Sequence, residues 1–205
     1  MKKLISAILI LLLCLGIYSC GKNDAASPAT TATTDNSTAS SPAVIIYPYG
    51  TTSRDGNYGS SVINTCYGTN SSGYTKAPFY STSTHDLKDR LPSSKWSNAV
   101  YSLQGHKISS SWENLWDGNI DMSLSEAEVV YDNSSNASYV RGFWSATKSD
   151  GTFSGNDCTG WSSGTSADNA TTGSFQFKDS SRWIDNDTQA CNDGTDTYFL
   201  CCKYN

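Results

Sequence analysis

Five of the seven cysteines lie beyond position 20: Cys66, Cys158, Cys191, Cys201 and Cys202. Thiols so placed can crosslink the chain or ligate a metal. Ligation is the poorer reading, because Cys201 and Cys202 are adjacent, which suits a tetrahedral site badly, and no C-x-x-C or H-x-x-x-H spacing occurs. As crosslinks, four cysteines in two pairs allow three connectivities, which the spacing does not resolve, and a fifth thiol is left over. Other chemistry is sparse. The only histidines are His85 and His106, neither of them in a catalytic motif, and no H-E-x-x-H is present. Glu126 and Glu128 are paired acids at the expected start of a strand, where solvent would cover them. The inventory points to a stapled binding protein rather than an enzyme, with no metal and no cofactor.

Stapling requires an oxidising compartment, and the amino end supplies a route to one. Lys2 and Lys3 precede an apolar run from Ile5 to Ile17 that only Ser6 interrupts. The run is shorter than the ~20 residues of a spanning helix and ends in Ile17-Tyr18-Ser19-Cys20-Gly21. That ending resembles the bacterial lipobox, in which a small residue precedes the cysteine that receives a diacylglyceryl group. Cleavage before Cys20 and acylation of its new amine, with fatty acids such as palmitate, would anchor the chain to a bilayer without a spanning helix. Cys14 is a poorer candidate because Leu13 precedes it. The expected organisation is a signal peptide over 1–19, the lipidated Cys20 with a flexible tether over 20–43, and a folded domain over 44–205. The tether, GKNDAASPATTATTDNSTASSPA, has no large apolar residue with which to offset the entropy of ordering.

The chain carries a formal charge of −5, and losing Lys2 and Lys3 with the leader makes the remainder more acidic. Its lysines and arginines form no run, so nucleic acid and anionic lipid surfaces are poor partners. Val44 to Tyr47 reads as a β-branched strand, residues 60–67 as a short helix carrying Cys66, and Thr84 as the N-cap of a helix that Pro92 ends. Val100 to Leu103 reads as a strand closed by Gly105, and Ser111 to Trp116 as a helical turn that Gly118 stops. Glu128 to Tyr131, Tyr139 to Trp144 and Thr197 to Cys202 read as further strands, with loops between. Short strands and helices among long loops predict an α+β domain.

Four stretches stand in an order that resembles endostatin, the C-terminal domain of certain collagens. Leu87 to Gly118 runs from DLKDRLP through AVYSLQG to SSSWENLWDG. Gly142-Phe143-Trp144-Ser145-Ala146 is similar to the "VWHGS"-like strand, and Asp157-Cys158-Thr159-Gly160-Trp161 to the "YCETW"-like motif. Gln189-Ala190-Cys191-Asn192 with Tyr198-Phe199-Leu200-Cys201 resembles the paired "SC-N" and "VLC" endings. The resemblance spans residues 44–205. It implies a C-type-lectin-like fold and nested disulfides, Cys66 to Cys201 and Cys158 to Cys191, leaving Cys202 as a buried free thiol or an intermolecular crosslink. It is also similar to lipid-anchored, endostatin-like surface proteins of spirochaetes. That likeness implies a membrane-anchored adhesin of the cell envelope, on the outer membrane and surface-exposed, engaging host extracellular-matrix proteins, plasminogen or complement regulators. A glycan-binding lectin and a structural envelope lipoprotein are the alternatives. The E-P-N-like and W-N-D-like elements of calcium-dependent sugar binding are missing. With only Arg54, Arg90, Arg141 and Arg182, the arginine-rich heparin face of endostatin is not carried over.

The aromatics divide in the same terms. Trp112, Trp116, Trp144 and Trp161 fall in expected strands and turns, where a chain poor in aliphatics needs core. Trp96 and Trp183 stand in polar runs, SSKWSN and SSRWID, and are candidate surface anchors together with Tyr47, Tyr49 and Tyr58. Asp185, Asn186 and Asp187 form an acidic loop able to offer oxygens, though such loops are usually just solvated.

Overall fold

A computed structural model describes residues 43–69, 72–130, 142–179 and 181–205. The signal peptide, Cys20, the tether up to residue 42, Arg141 and the expected strand residues 131 and 139–141 lie outside the described residues.

The first and last strands of the domain are partners. β1 (Ala43–Pro48) runs antiparallel to β10 (Leu200–Tyr204), with Val44 opposite Tyr204 and Pro48 opposite Leu200. β1 also pairs in parallel with β4 (Ala99–Ser102), and β10 pairs with β3 (Thr75–Pro78). With β2 (Gly68–Thr69) and β5 (Lys107–Ser109) they form a six-stranded sheet in the order β2-β3-β10-β1-β4-β5. A second sheet has the order β8-β7-β6-β9, from β6 (Gly142–Trp144), β7 (Asn169–Gly173), β8 (Asp187–Ala190) and β9 (Thr197–Tyr198). The domain is α+β, with mostly strands and a few short helical segments.

Strand alternation deals side chains into two cores. Leu200 and Cys202 of β10 join Val44, Ile46, Phe79 and Trp112 in one cluster, while Cys201 joins Tyr80, Trp144, Trp161 and Phe199 in another. Phe143 and Trp144 of β6 divide the same way. Both faces of β10 are therefore buried at residues 200–202, and both of its edges are paired, by β1 and β3. Cys201 bonds to Cys66 and Cys158 to Cys191, with Cα atoms 5.8 and 5.6 Å apart. Cys202 is a buried free thiol whose Sγ donates to Ala77 O at 3.6 Å, and burial pushes its pKa up to about 12. α1 (Gly59–Thr65) carries the buried Val62 and presents Cys66 at its end.

Three expected elements differ. No helix follows Thr84: its hydroxyl meets Thr82 and His85, and only a 3-10 turn, Leu87–Arg90, forms after Asp86. Pro92 holds Leu91 extended (φ −102°, ψ 143°) and so ends the turn there. Glu128 does not begin a strand. Residues 124–128 form turns closed by a capping box, in which Ser123 Oγ accepts the Glu126 N–H at 3.2 Å and Glu126 Oε2 accepts the Ser123 N–H at 3.1 Å. Glu128 itself is left-handed (φ 54°). The expected final strand divides at the buried Phe199 into β9 and β10, which belong to different sheets.

One backbone segment is strained. Cys158, Thr159, Gly160 and Trp161 all have positive φ (52°, 57°, 65° and 62°), a left-handed turn that costs roughly 1–2 kcal/mol for each non-glycine residue. Several contacts hold it. Asp157 Oδ1 accepts the Gly160 N–H at 2.8 Å, Trp161 Nε1 donates to Ser81 O at 3.0 Å, and Cys158 is pinned to Cys191.

Candidate functional site

Three short turns converge on a cleft. The 3-10 turn Leu87–Arg90 carries Lys88 and Asp89, and the turn Ser93–Lys95 leads into Trp96. The turn Glu113–Trp116 supplies Glu113, Asn114 and Trp116, with Asp117 at its end. The sequence dictates this split: within SWENLWDG, Trp112 and Leu115 are fully buried, which leaves Glu113, Asn114 and Asp117 exposed. The turns are stitched together by one local and two longer-range hydrogen bonds. Trp112 Nε1 donates to Lys88 O at 2.8 Å, the Glu113 N–H to Trp96 O at 3.1 Å, and Trp96 Nε1 to Leu91 O at 3.1 Å. The open cleft between them, about 510 Å³, is bounded by Trp96 and Trp116 with Lys88, Asp89, Glu113, Asn114 and Asp117. That lies within the usual range for a small-ligand site.

The cleft is rigid at its base. Trp116 packs edge-on against Trp112 (5.3 Å between centroids) and stacks with Trp183 (6.0 Å), which in turn meets Phe79 (6.5 Å). Gly151 seals the underside, because a Cβ there would come within 2.8 Å of the Trp116 ring. The two ion pairs found among the described residues, Lys107–Asp121 and His106–Glu128, do not involve Asp89, Glu113 or Asp117. Among the described residues, the cleft therefore sets three carboxylates that form no ion pair against the single ammonium of Lys88.

Of the expected surface aromatics, Trp96 is half-buried and lines this cleft. Trp183 is corrected: it is fully buried, because the turn Ser181–Trp183 swings its ring inward behind Trp116. It supports the cleft and cannot touch a ligand. Tyr47 and Tyr49 are half-buried against the second core, whereas Trp96 packs against the first. Burial raises the Tyr47 pKa to about 12, and Lys203 Nζ lies 5.9 Å from its ring. Tyr58 is 44 % exposed under the Arg54 guanidinium, 5.2 Å away. The aromatics expected at the surface thus do not gather into one patch.

Asn186 and Asp187 border a separate polar groove with Thr172, Thr188, Gln189 and Asp193. Asp187 Oδ1 accepts the Thr188 N–H and Asn186 Oδ1 accepts from Arg182, while burial raises the pKa of Asp185. Among the described residues no group of three or more His, Cys, Asp or Glu side chains is placed to hold a metal ion. Glu126 is committed to its cap, where the Ser123 N–H and hydroxyl hold its carboxyl below the usual range. Glu128 lies 4.0 Å from His106, and His85 Nδ1 meets the Thr84 hydroxyl at 2.9 Å on the exposed surface.

Lys88, Asp89, Glu113, Asn114 and Asp117 are the members that sequence reasoning passes over, and Trp116, expected in the core, is only half-buried and lines the cleft. A usable signal was present for some of them, since Glu113, Asn114 and Asp117 are the polar positions of an otherwise apolar turn. No protein-family model and no curated protein matches this chain. Among the described residues no helix is long and apolar enough to cross a membrane.

Proposed function

We propose that this chain is a lipid-anchored surface protein of the bacterial envelope whose endostatin-like, C-type-lectin-like domain binds macromolecules without turning them over. The observation that carries the proposal is the cleft between Trp96 and Trp116, preformed by hydrogen bonds between its turns and backed by stacked indoles. Rigid scaffolds that display short loops are a common architecture for recognition. The nested crosslinks and the pairing of the two terminal strands support the C-type-lectin-like reading. The lipobox-like IYSCG motif supports anchoring through Cys20. Host extracellular-matrix and plasma proteins, including complement regulators, are the proposed partners. A glycan is the second reading, favoured by the two tryptophans at the cleft.

The test is to measure binding of the full chain, purified in neutral detergent, to laminin, fibronectin and complement factor H, beside a glycan array read with and without calcium. Micromolar or tighter binding to a host protein supports the proposal. Binding to glycans alone moves the assignment to the second reading, and binding to neither overturns both. In parallel, Cys20→Ala should move the protein out of the membrane fraction. Unchanged partitioning into detergent would overturn the anchor.

A further inference from the structure

We propose that the Trp96–Trp116 cleft receives a lysine or arginine side chain presented by a partner polypeptide. This rests on the binding-module reading and names the chemistry of its ligand. The argument is one of charge and shape together. Asp89, Glu113 and Asp117 line the cleft with a single cation, Lys88, and none of the three has an ion-pair partner among the described residues. Like charges gathered at a cleft repel one another, and an incoming cation relieves that repulsion.

The form of the cation follows from the walls. No three carboxylates among the described residues approach closely enough to hold a metal ion, so a bare divalent cation finds no cage. A lysine or arginine fits both parts of the cleft. Its aliphatic stem lies along Trp96 and Trp116, while its charged head reaches the carboxylates at the rim. Arginine gains further from bidentate carboxylate pairing, and either cation gains from an indole. An anionic polysaccharide is repelled by the same carboxylates. A neutral sugar can stack on indoles but leaves the carboxylates unneutralised.

The walls are built before any ligand arrives. Asp89 sits on a turn whose carbonyl at Lys88 is tied to Trp112, and Glu113 donates its own N–H to Trp96 O. Asp117 Oδ1 also accepts the Asn119 N–H at 3.1 Å, which fixes that carboxylate at the end of its turn.

The experiment uses the full chain in neutral detergent, with isothermal titration calorimetry and the NMR shift of the Trp96 indole N–H as readouts. The probes are Gly/Ser octapeptides carrying one central lysine, one arginine or one acetyl-lysine, and a set of neutral methyl glycosides. The lysine and arginine peptides are expected to bind with Kd of about 1 mM or tighter and to shift the Trp96 resonance, and acetyl-lysine is expected not to bind. The variant Asp89→Asn/Glu113→Gln/Asp117→Asn, whose exposed positions leave folding intact by thermal melt, should weaken binding at least tenfold, and so should raised salt. Equal binding of lysine and acetyl-lysine, undiminished binding by the triple variant, or no peptide binding would each overturn the proposal. So would glycoside binding lost in Trp96→Ala but kept in the triple variant. If the triple variant still binds a host protein while no peptide binds, the cleft assignment falls and the binding-module reading stands.

Discussion

Removing the outer crosslink by Cys66→Ala/Cys201→Ala should cost more stability than removing the inner one by Cys158→Ala/Cys191→Ala. The two bridges span 135 and 33 residues, and the smaller loop lies inside the larger. In the chain-entropy model a closed loop constrains the unfolded chain in proportion to the logarithm of its length. The inner bridge alone is then worth about 3.7 kcal/mol at 25 °C. With the inner loop already closed, the outer bridge ties off an effective loop of roughly 100 residues and is worth about 4.7 kcal/mol. The outer pair should therefore exceed the inner by about 1 kcal/mol. The assay is equilibrium urea unfolding under non-reducing conditions, followed by fluorescence of the buried Trp112, Trp144, Trp161 and Trp183. A larger loss from the inner pair, or a loss below about 1 kcal/mol from the outer pair, would refute unfolded-state entropy as the main contribution of these bridges.

Gly59→Ala should destabilise the domain by about 1–3 kcal/mol, as measured by the same unfolding curve. Alanine is the better helix former by roughly 0.8–1 kcal/mol, but a Cβ here would lie 2.5 Å from Trp161 Cβ, on a residue locked in the left-handed turn, so the clash wins. Cys202 should resist alkylation by iodoacetamide at pH 8 in the native protein and react once the protein is unfolded, because burial raises its pKa; fast native labelling would show the strand to be open. Glu126 and Asp150 have pKa values lowered mainly by hydrogen bonds, from the Ser123 N–H and the Thr152 hydroxyl respectively. Their stabilisation is present above the unfolded pKa values of about 4 and is lost as pH falls through the lower folded values. The urea midpoint should therefore drop from pH 5 to pH 2, and less steeply in Glu126→Gln/Asp150→Asn; identical slopes would contradict these assignments.

Parts of the fold were legible because their signal is local. Val44 to Tyr47, with its run of β-branched residues, does become β1, and the short apolar run before Cys66 does become α1. The choice of Cys201 over Cys202 as the bridged cysteine came from the resemblance and not from the local spacing; in the structure alternation along β10 sends the two neighbours into different cores. Ser123 and Glu126 carried a legible capping box, but the β-branched Val129 and Val130 beside Glu128 favoured a strand reading. Trp183 was misread because a single 3-10 turn has no periodicity to reveal which way a ring points. The cleft was illegible as a unit. Asp89 and Glu113 belong to turns that meet only through the Trp112–Lys88 and Glu113–Trp96 hydrogen bonds, and no short window of sequence contains both sides.

Protease shaving of intact, expressing cells is the most direct measurement, because recognition of a host protein requires the domain to face outward. The account predicts that externally added protease removes the protein while periplasmic and cytoplasmic markers survive. Full protection of the protein on intact cells, lost only when the outer membrane is opened, would contradict it.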